Sequence, residues 1–196
     1  LAGKLAAGFI RGAEGEGVGT SLKHFAVNNQ ETLRMSVSAE VDERALHELY
    51  LRPFEIAVKE GAPSTVMCSY NRINGVYASE NRMLLTRILR EQWGFDGLVM
   101  SDWGAVYRRP AGVAAGLDLE MPSSGGVTDR EIVRAVRAGR LDEAALDALC
   151  ARVLRLALAH APQRKKAYPA PVHNVAAVRR MLDRHHALAV RAARES

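Results

Sequence analysis

GFDGLVMSDWGAV, residues 94–106, sets the apolar run Leu98-Val99-Met100 between a glycine turn and a carboxylate. A run this short, bounded by Gly97 and Ser101, reads as a buried β-strand. Asp102 stands at its C-terminal end with Trp103 beside it. Carboxylates are rarely left at the edge of a core unless they are paired or used.

Three further runs share this character: SLKHFAV (21–27), STVMCSY (64–70) and LDLEM (117–121). Between the strands lie helical patterns. Residues 42–61 open on Asp42 as a cap and close on Gly61, with Pro53 expected to kink or split the helix. Residues 79–95 have Ser79 as N-cap, Met83, Leu84, Ile88 and Leu89 on one face, and Gly94 as terminator. Strands alternating with helices predict βαβ units and a parallel sheet, either a barrel or a doubly wound sheet. Beyond residue 128 the pattern becomes helical to 161, broken at Gly139-Arg140, with Asp142 capping the second helix. A Pro- and Lys-rich linker is expected over 162–174, then an amphipathic segment from Val175 to Ser196.

The chain has 196 residues and a formal charge of +5. Residues 1–130 hold 14 Lys/Arg against 16 Asp/Glu, whereas residues 131–196 hold 13 against 6. The C-terminal arginines lie among alanines and leucines at helical spacing, without interleaved aromatics. That describes a solvated helix face rather than a nucleic-acid surface. No stretch is long enough to span a bilayer. Cys68 and Cys150 are far apart and read as two buried small hydrophobes. Neither metal-ligand spacing nor a phosphate loop is visible, and no cofactor is expected. The glycines of RGAEGEGVGT (11–20) precede a strand rather than follow one, which makes a turn.

The polar residues at the strand ends are the candidates for chemistry, because that edge of a parallel α/β sheet is where ligands bind. Asp102 is a carboxylate there, although a strand-end Asp also caps turns. Trp103 offers a flat apolar platform for a sugar ring, or a core aromatic. For Lys23 and His24, regular strand geometry would aim only one at the site, and a bulge would admit both. The plain alternative is a core histidine and a snorkelling lysine. NNQETLR (28–34) is a polar loop in which Glu31 and Arg34 can pair. Met67 and Tyr70 close their strand, and the Tyr70 hydroxyl there can hydrogen-bond a carboxylate.

Taken together, LKHFAVNNQETLR, VMCSYNRINGVYASEN, LREQWGFDGLVMSDWGAV and AGLDLEMP resemble the glycoside hydrolase family 3 β-glucosidases. The resemblance runs from about residue 8 to Ser196. It implies a partial (β/α)8 barrel of the TIM type, about its last four βα units, followed by helices and a linker. The implied boundaries are 1–127 for the later part of the barrel domain, 128–161 for its helical end, and 162–196 for the linker and start of a C-terminal α/β-sandwich domain. The implied catalytic nucleophile is Asp102; Lys23, His24, Met67, Tyr70 and Trp103 are implied substrate-binding residues. A β-glucoside or oligosaccharide would be the substrate, and upstream barrel strands and a C-terminal domain would complete the protein. The resemblance puts the acid/base in that later domain. Within the chain only Glu31, Glu80 and Glu120 are candidates. Pro110 interrupts a segment that is helical in the family. A carbohydrate-binding fragment without hydrolysis, or a β-xylosidase or other family 3 specificity, is the competing expectation.

Overall fold

A computed structural model describes residues 1–167 and 175–195. Contacts divide the chain into two units, Leu1–His160 and Ala161–Ser196.

The first unit begins with α1 (Ala2–Gly15), followed by β1 (Ser21–Phe25) and the short β2 (Ser38–Ala39). Helix α2 (Glu43–Ala45) starts at Asp42, whose side chain accepts the Ala45 N–H. It runs into a π-type stretch, Leu46–Leu51, and then α3 (Arg52–Gly61). Pro53 sits in the first turn of α3. Its missing N–H cannot close a bond to the preceding turn, so the discontinuity expected there takes the form of wider winding rather than a broken helix. Next come β3 (Thr65–Cys68), β4 (Arg72–Ile73) and β5 (Val76–Tyr77). A π-type helix over Met83–Gln92 leads to β6 (Leu98–Met100). Helices α4 (Arg109–Ala115), α5 (Val127–Arg137) and α6 (Glu143–Ala167) complete the order. Pro110 falls in the first turn of α4, where its missing N–H costs nothing, so the helix forms despite it.

Strands β1, β3 and β6 pair in parallel in that order, with Ser21 beside Thr65 and Thr65 beside Leu98. The expected fourth strand, 117–121, is reduced to one parallel bridge between Met100 and Leu119. A side chain explains the shortening. The Val99 N–H, which would continue the ladder, is taken by the Asp118 carboxylate at 2.7 Å. A second sheet pairs β2 with β4 in parallel and β4 with β5 as a hairpin. Its turn is Asn74-Gly75, at φ 49° and 84°, the left-handed pair that a tight hairpin requires.

One face of the main sheet is covered by helices. Leu22, Phe25, Val66, Cys68 and Val99 pack with Leu46, Leu51, Val58, Leu84, Leu85, Ile88, Leu89 and Trp93. Phe25 touches Phe54 edge-on at 5.2 Å between ring centroids and Trp93 at 5.8 Å. Strand alternation turns Ser21, Met67 and Met100 to the other face. A smaller core joins α4, α5 and α6 through Val113, Ile132, Ala135, Leu141 and Leu149.

Two devices hold α1 in place. Gly3 lets it meet α3 closely, since a Cβ there would lie 2.8 Å from the Pro53 carbonyl oxygen. The Glu14 carboxylate accepts the backbone N–H and hydroxyl of both Thr20 and Ser64, at 2.7–2.8 Å. Burial pushes this carboxyl upward, but the four bonds outweigh it and hold it below the ordinary glutamate value.

In the second unit, α7 (Val175–Glu195) is a helix, as the amphipathic pattern predicts. Of the stretch expected as a linker, 162–167 continue α6, and 168–174 lie outside the described residues.

Candidate active site

Strand β6 ends at Met100, and the chain turns so that the Asp102 side chain lies 12% exposed at the sheet edge. Ser101, fully buried, sets this turn. Its hydroxyl takes the Met121 N–H at 2.8 Å, and its own N–H goes to the Leu119 carbonyl. Asp102 Oδ1 accepts the Trp103 N–H at 2.8 Å, and Oδ2 lies 3.5 Å from His24 Nε2. The Tyr70 hydroxyl donates to the Trp103 carbonyl at 2.9 Å, beside the carboxylate. Burial raises the Tyr70 phenol first, and the Asp102 charge and hydrogen bond raise it further, against a smaller opposing effect of Arg34. Tyr70 is therefore a neutral donor.

The residues singled out from sequence are distributed as follows. Asp102, His24 and Tyr70 come together. Trp103 is adjacent and 53 % exposed, which makes its ring a surface rather than a core aromatic. Met67 is buried at the end of β3, on the sheet face away from the helical core. Lys23 is exposed on β1 and makes no hydrogen bond or ion pair among the described residues. The β1–β3 register shifts between Leu22 and Phe25, so the strand departs from simple alternation where Lys23 and His24 sit.

Sequence reasoning assigned Arg34 only to its partner Glu31, which it does hold at 2.9 Å. Its guanidinium also lies 4.9 Å above the Tyr70 ring, which brings a cation to the edge of the carboxylate cluster. The three glutamates considered as acids are each engaged. Glu31 pairs with Arg34, Glu80 with Arg108, and Glu120 accepts from Thr128 with Arg109 3.9 Å away. Reasoning from sequence also missed Asp118, whose side chain is fully buried between Arg90 Nη2 at 2.7 Å and Arg152 Nε at 2.8 Å.

The two cysteines are not alike. Cys68 is buried, whereas Cys150 is exposed on α6, which corrects the expectation that both are core residues. Helix α6 turns that position outward while Leu149 packs inward. Burial, and secondarily the Asp102 charge, push the Cys68 thiol up from 9.0 to about 12. The unfolded chain then loses this proton from about pH 9 while the folded chain keeps it. Stability contributed by Cys68 is full below pH 9 and is lost toward pH 12, at up to about 1.4 kcal/mol per pH unit. Cys68→Ala is expected to flatten the fall in urea midpoint between pH 9 and 11; parallel curves for the two proteins would refute this.

Among the described residues no group of three or more His, Cys, Asp or Glu is placed to hold a metal. No described helix is long and apolar enough to cross a membrane.

The sequence profile of the glycosyl hydrolase family 3 N-terminal domain matches residues 1–156. Thermostable beta-glucosidase B of Acetivibrio thermocellus is 48% identical over 196 residues, all of this chain and 25% of that protein. An exo-alpha-(1->6)-L-arabinopyranosidase of Bifidobacterium longum is 54% identical over 156 residues, 80% of this chain and 20% of its own length. Among solved structures, beta-glucosidase 3B of Thermotoga neapolitana in complex with alpha-D-glucose superposes with a TM-score of 0.78 at 44% identity. That match covers 80% of this chain and 23% of the neighbour. The chain thus spans about a fifth to a quarter of the curated relatives it matches.

Proposed function

The chain belongs to glycosyl hydrolase family 3, and on that premise we propose that it carries the nucleophile half of a retaining β-glucosidase site. The observation that supports this reading most is Asp102, a nearly buried carboxylate at the C-terminal end of a parallel strand, with His24, Tyr70 and the Trp103 N–H around it. Asp102 attacks the anomeric carbon, the bond to the aglycone oxygen breaks, and that oxygen takes a proton from an acid. A covalent glycosyl ester results, and water hydrolyses it with net retention. Lys23, His24, Met67 and Tyr70 bind the sugar, and the exposed Trp103 ring flanks it.

Glu31, Glu80 and Glu120 are all held by cations or by a hydroxyl. As the family resemblance implies, we take the acid/base to come from a C-terminal domain of which residues 162–196 would be the linker and start. The sheet face bearing Ser21, Met67 and Met100 fits the interior of a (β/α)8 barrel of which this chain supplies the later units. An apolar cavity of about 510 Å³ between that face and α6, lined by Ser21, Thr65, Leu98, Leu119 and Val153, is consistent with an incomplete interior. Glucose is the favoured sugar. The Bifidobacterium relative favours α-L-arabinopyranosides as the second reading, and relative kcat/KM on the two aryl glycosides separates them.

A 2-deoxy-2-fluoro β-glucoside tests the assignment. On the full-length protein it is expected to inactivate in proportion to time and leave one sugar on the peptide containing Asp102. The isolated chain should release no nitrophenol from an aryl β-glucoside. A label on another residue overturns the assignment.

A further inference from the structure

Tyr107 lies five residues beyond Asp102 and belongs to neither core. It is 42 % exposed, yet both its ring and its hydroxyl are engaged. The ring stacks on Tyr77 at 3.7 Å between centroids and 17° between planes. Tyr77 is itself fixed, because Arg72 Nη2 donates to its hydroxyl at 2.8 Å and the guanidinium lies over its ring. The Tyr107 hydroxyl donates to the Met35 carbonyl. Among the described residues, this is the direct hydrogen bond between the segment after Asp102 and the 28–37 loop. Met35 follows Arg34, whose guanidinium covers Tyr70.

We propose that Tyr107 is a positioning residue for the sugar site, a latch that holds the Arg34 loop at a set distance from Asp102 and Trp103. This rests on the reading of Asp102 as nucleophile. The β4–β5 hairpin supplies the fixed post, the stack holds the ring against it, and the hydroxyl ties down the loop. Phenylalanine would keep the stack and lose only the tie. One exposed hydrogen bond is modest, so its loss should loosen the loop without unfolding anything. On that reading the loop borders the sugar subsite and does not bear the reacting carboxylate. Binding should therefore weaken while the chemical step persists.

The test uses Tyr107→Phe in the full-length protein. Expected are a three- to tenfold fall in kcat/KM on an aryl β-glucoside, kcat within twofold, glucose inhibition weakened by the same factor, and an unchanged thermal midpoint. Unchanged kcat/KM overturns the proposal, as does a fall shared by kcat and the thermal midpoint. Should the wild-type protein show neither turnover nor a label on Asp102, the glycosidase reading fails by itself. Calorimetric titration with glucose then decides for Tyr107: weaker binding by the variant supports the latch, and equal or absent binding overturns it.

Discussion

Asp102→Ala in the full-length protein is expected to lower kcat on an aryl β-glucoside by about 10⁴-fold or more. A group that forms the covalent intermediate acts as a unit with the rest of the site, and its removal leaves only binding and acid assistance. Folding should hardly register the change. Asp102 gives up one bond from the Trp103 N–H and a 3.5 Å contact with His24, while a nearly buried charge is relieved. The urea midpoint should move by less than about 1 kcal/mol in stability. Azide offers a sharper check: entering the vacated space, it should restore part of the rate and yield the α-glycosyl azide. Asp102→Asn keeps the acceptor for Trp103 and should be as inactive as the alanine variant. More than a tenth of wild-type kcat in either would remove Asp102 from the mechanism.

The other large effect is on stability, at Asp118. Oδ2 accepts from Arg90 and from the Val99 N–H, both at 2.7 Å, and Oδ1 accepts from Arg152 at 2.8 Å. The side chain has no exposure, and those of its arginines are 13% and 20% exposed. Burial lowers the Arg90 guanidinium, and the Asp118 charge works against that. Removing one partner of a buried pair leaves uncompensated charge, typically at a cost of about 3–5 kcal/mol. Asp118→Ala removes the counter-charge of two guanidinium groups and the acceptor of a strand N–H; Arg90 keeps its bonds to the Phe95, Gly97 and Gly116 carbonyls, so a loss within that range is expected in urea unfolding. Asp118→Asn keeps an acceptor for Val99 and should cost less. A loss below about 1 kcal/mol for alanine would show that the arginines find other partners. Val99 lies three residues before Asp102, so activity should fall in surviving Asp118 variants as well.

Much of the layout is legible in the sequence. Apolar runs bounded by glycine, serine or asparagine marked β1, β3 and β6 to within one or two residues, because a buried parallel strand carries its signal in its own few side chains. Asp42 marked a helix start because its cap is local; Gly61 is the last residue of α3, but the left-handed cap falls on Ala62, and Gly61 serves instead as a close contact with α1. The fourth run failed as a strand because Asp118 spends its side chain on the ladder position. Pro110 looked like a break and occupies a first turn, where a missing N–H is harmless, whereas Pro53 lies within a continuous helical run that absorbs it by wider winding. The Asn74-Gly75 hairpin carried a usable signal that had gone unread.

What the chain alone determined is the alternation of strand and helix, the family, and the carboxylate at the end of β6. Each is written in contiguous residues whose spacing follows the period of the backbone. Only the tertiary structure decided that His24 and Tyr70 close on Asp102, that Arg34 lies over Tyr70, that Tyr107 reaches Met35 across 72 residues, and that Asp118 serves arginines 28 and 34 positions away. Such pairings have no period. They exist because packing the helical core brings distant loops to one edge of the sheet, where buried charge and unpaired donors must find each other.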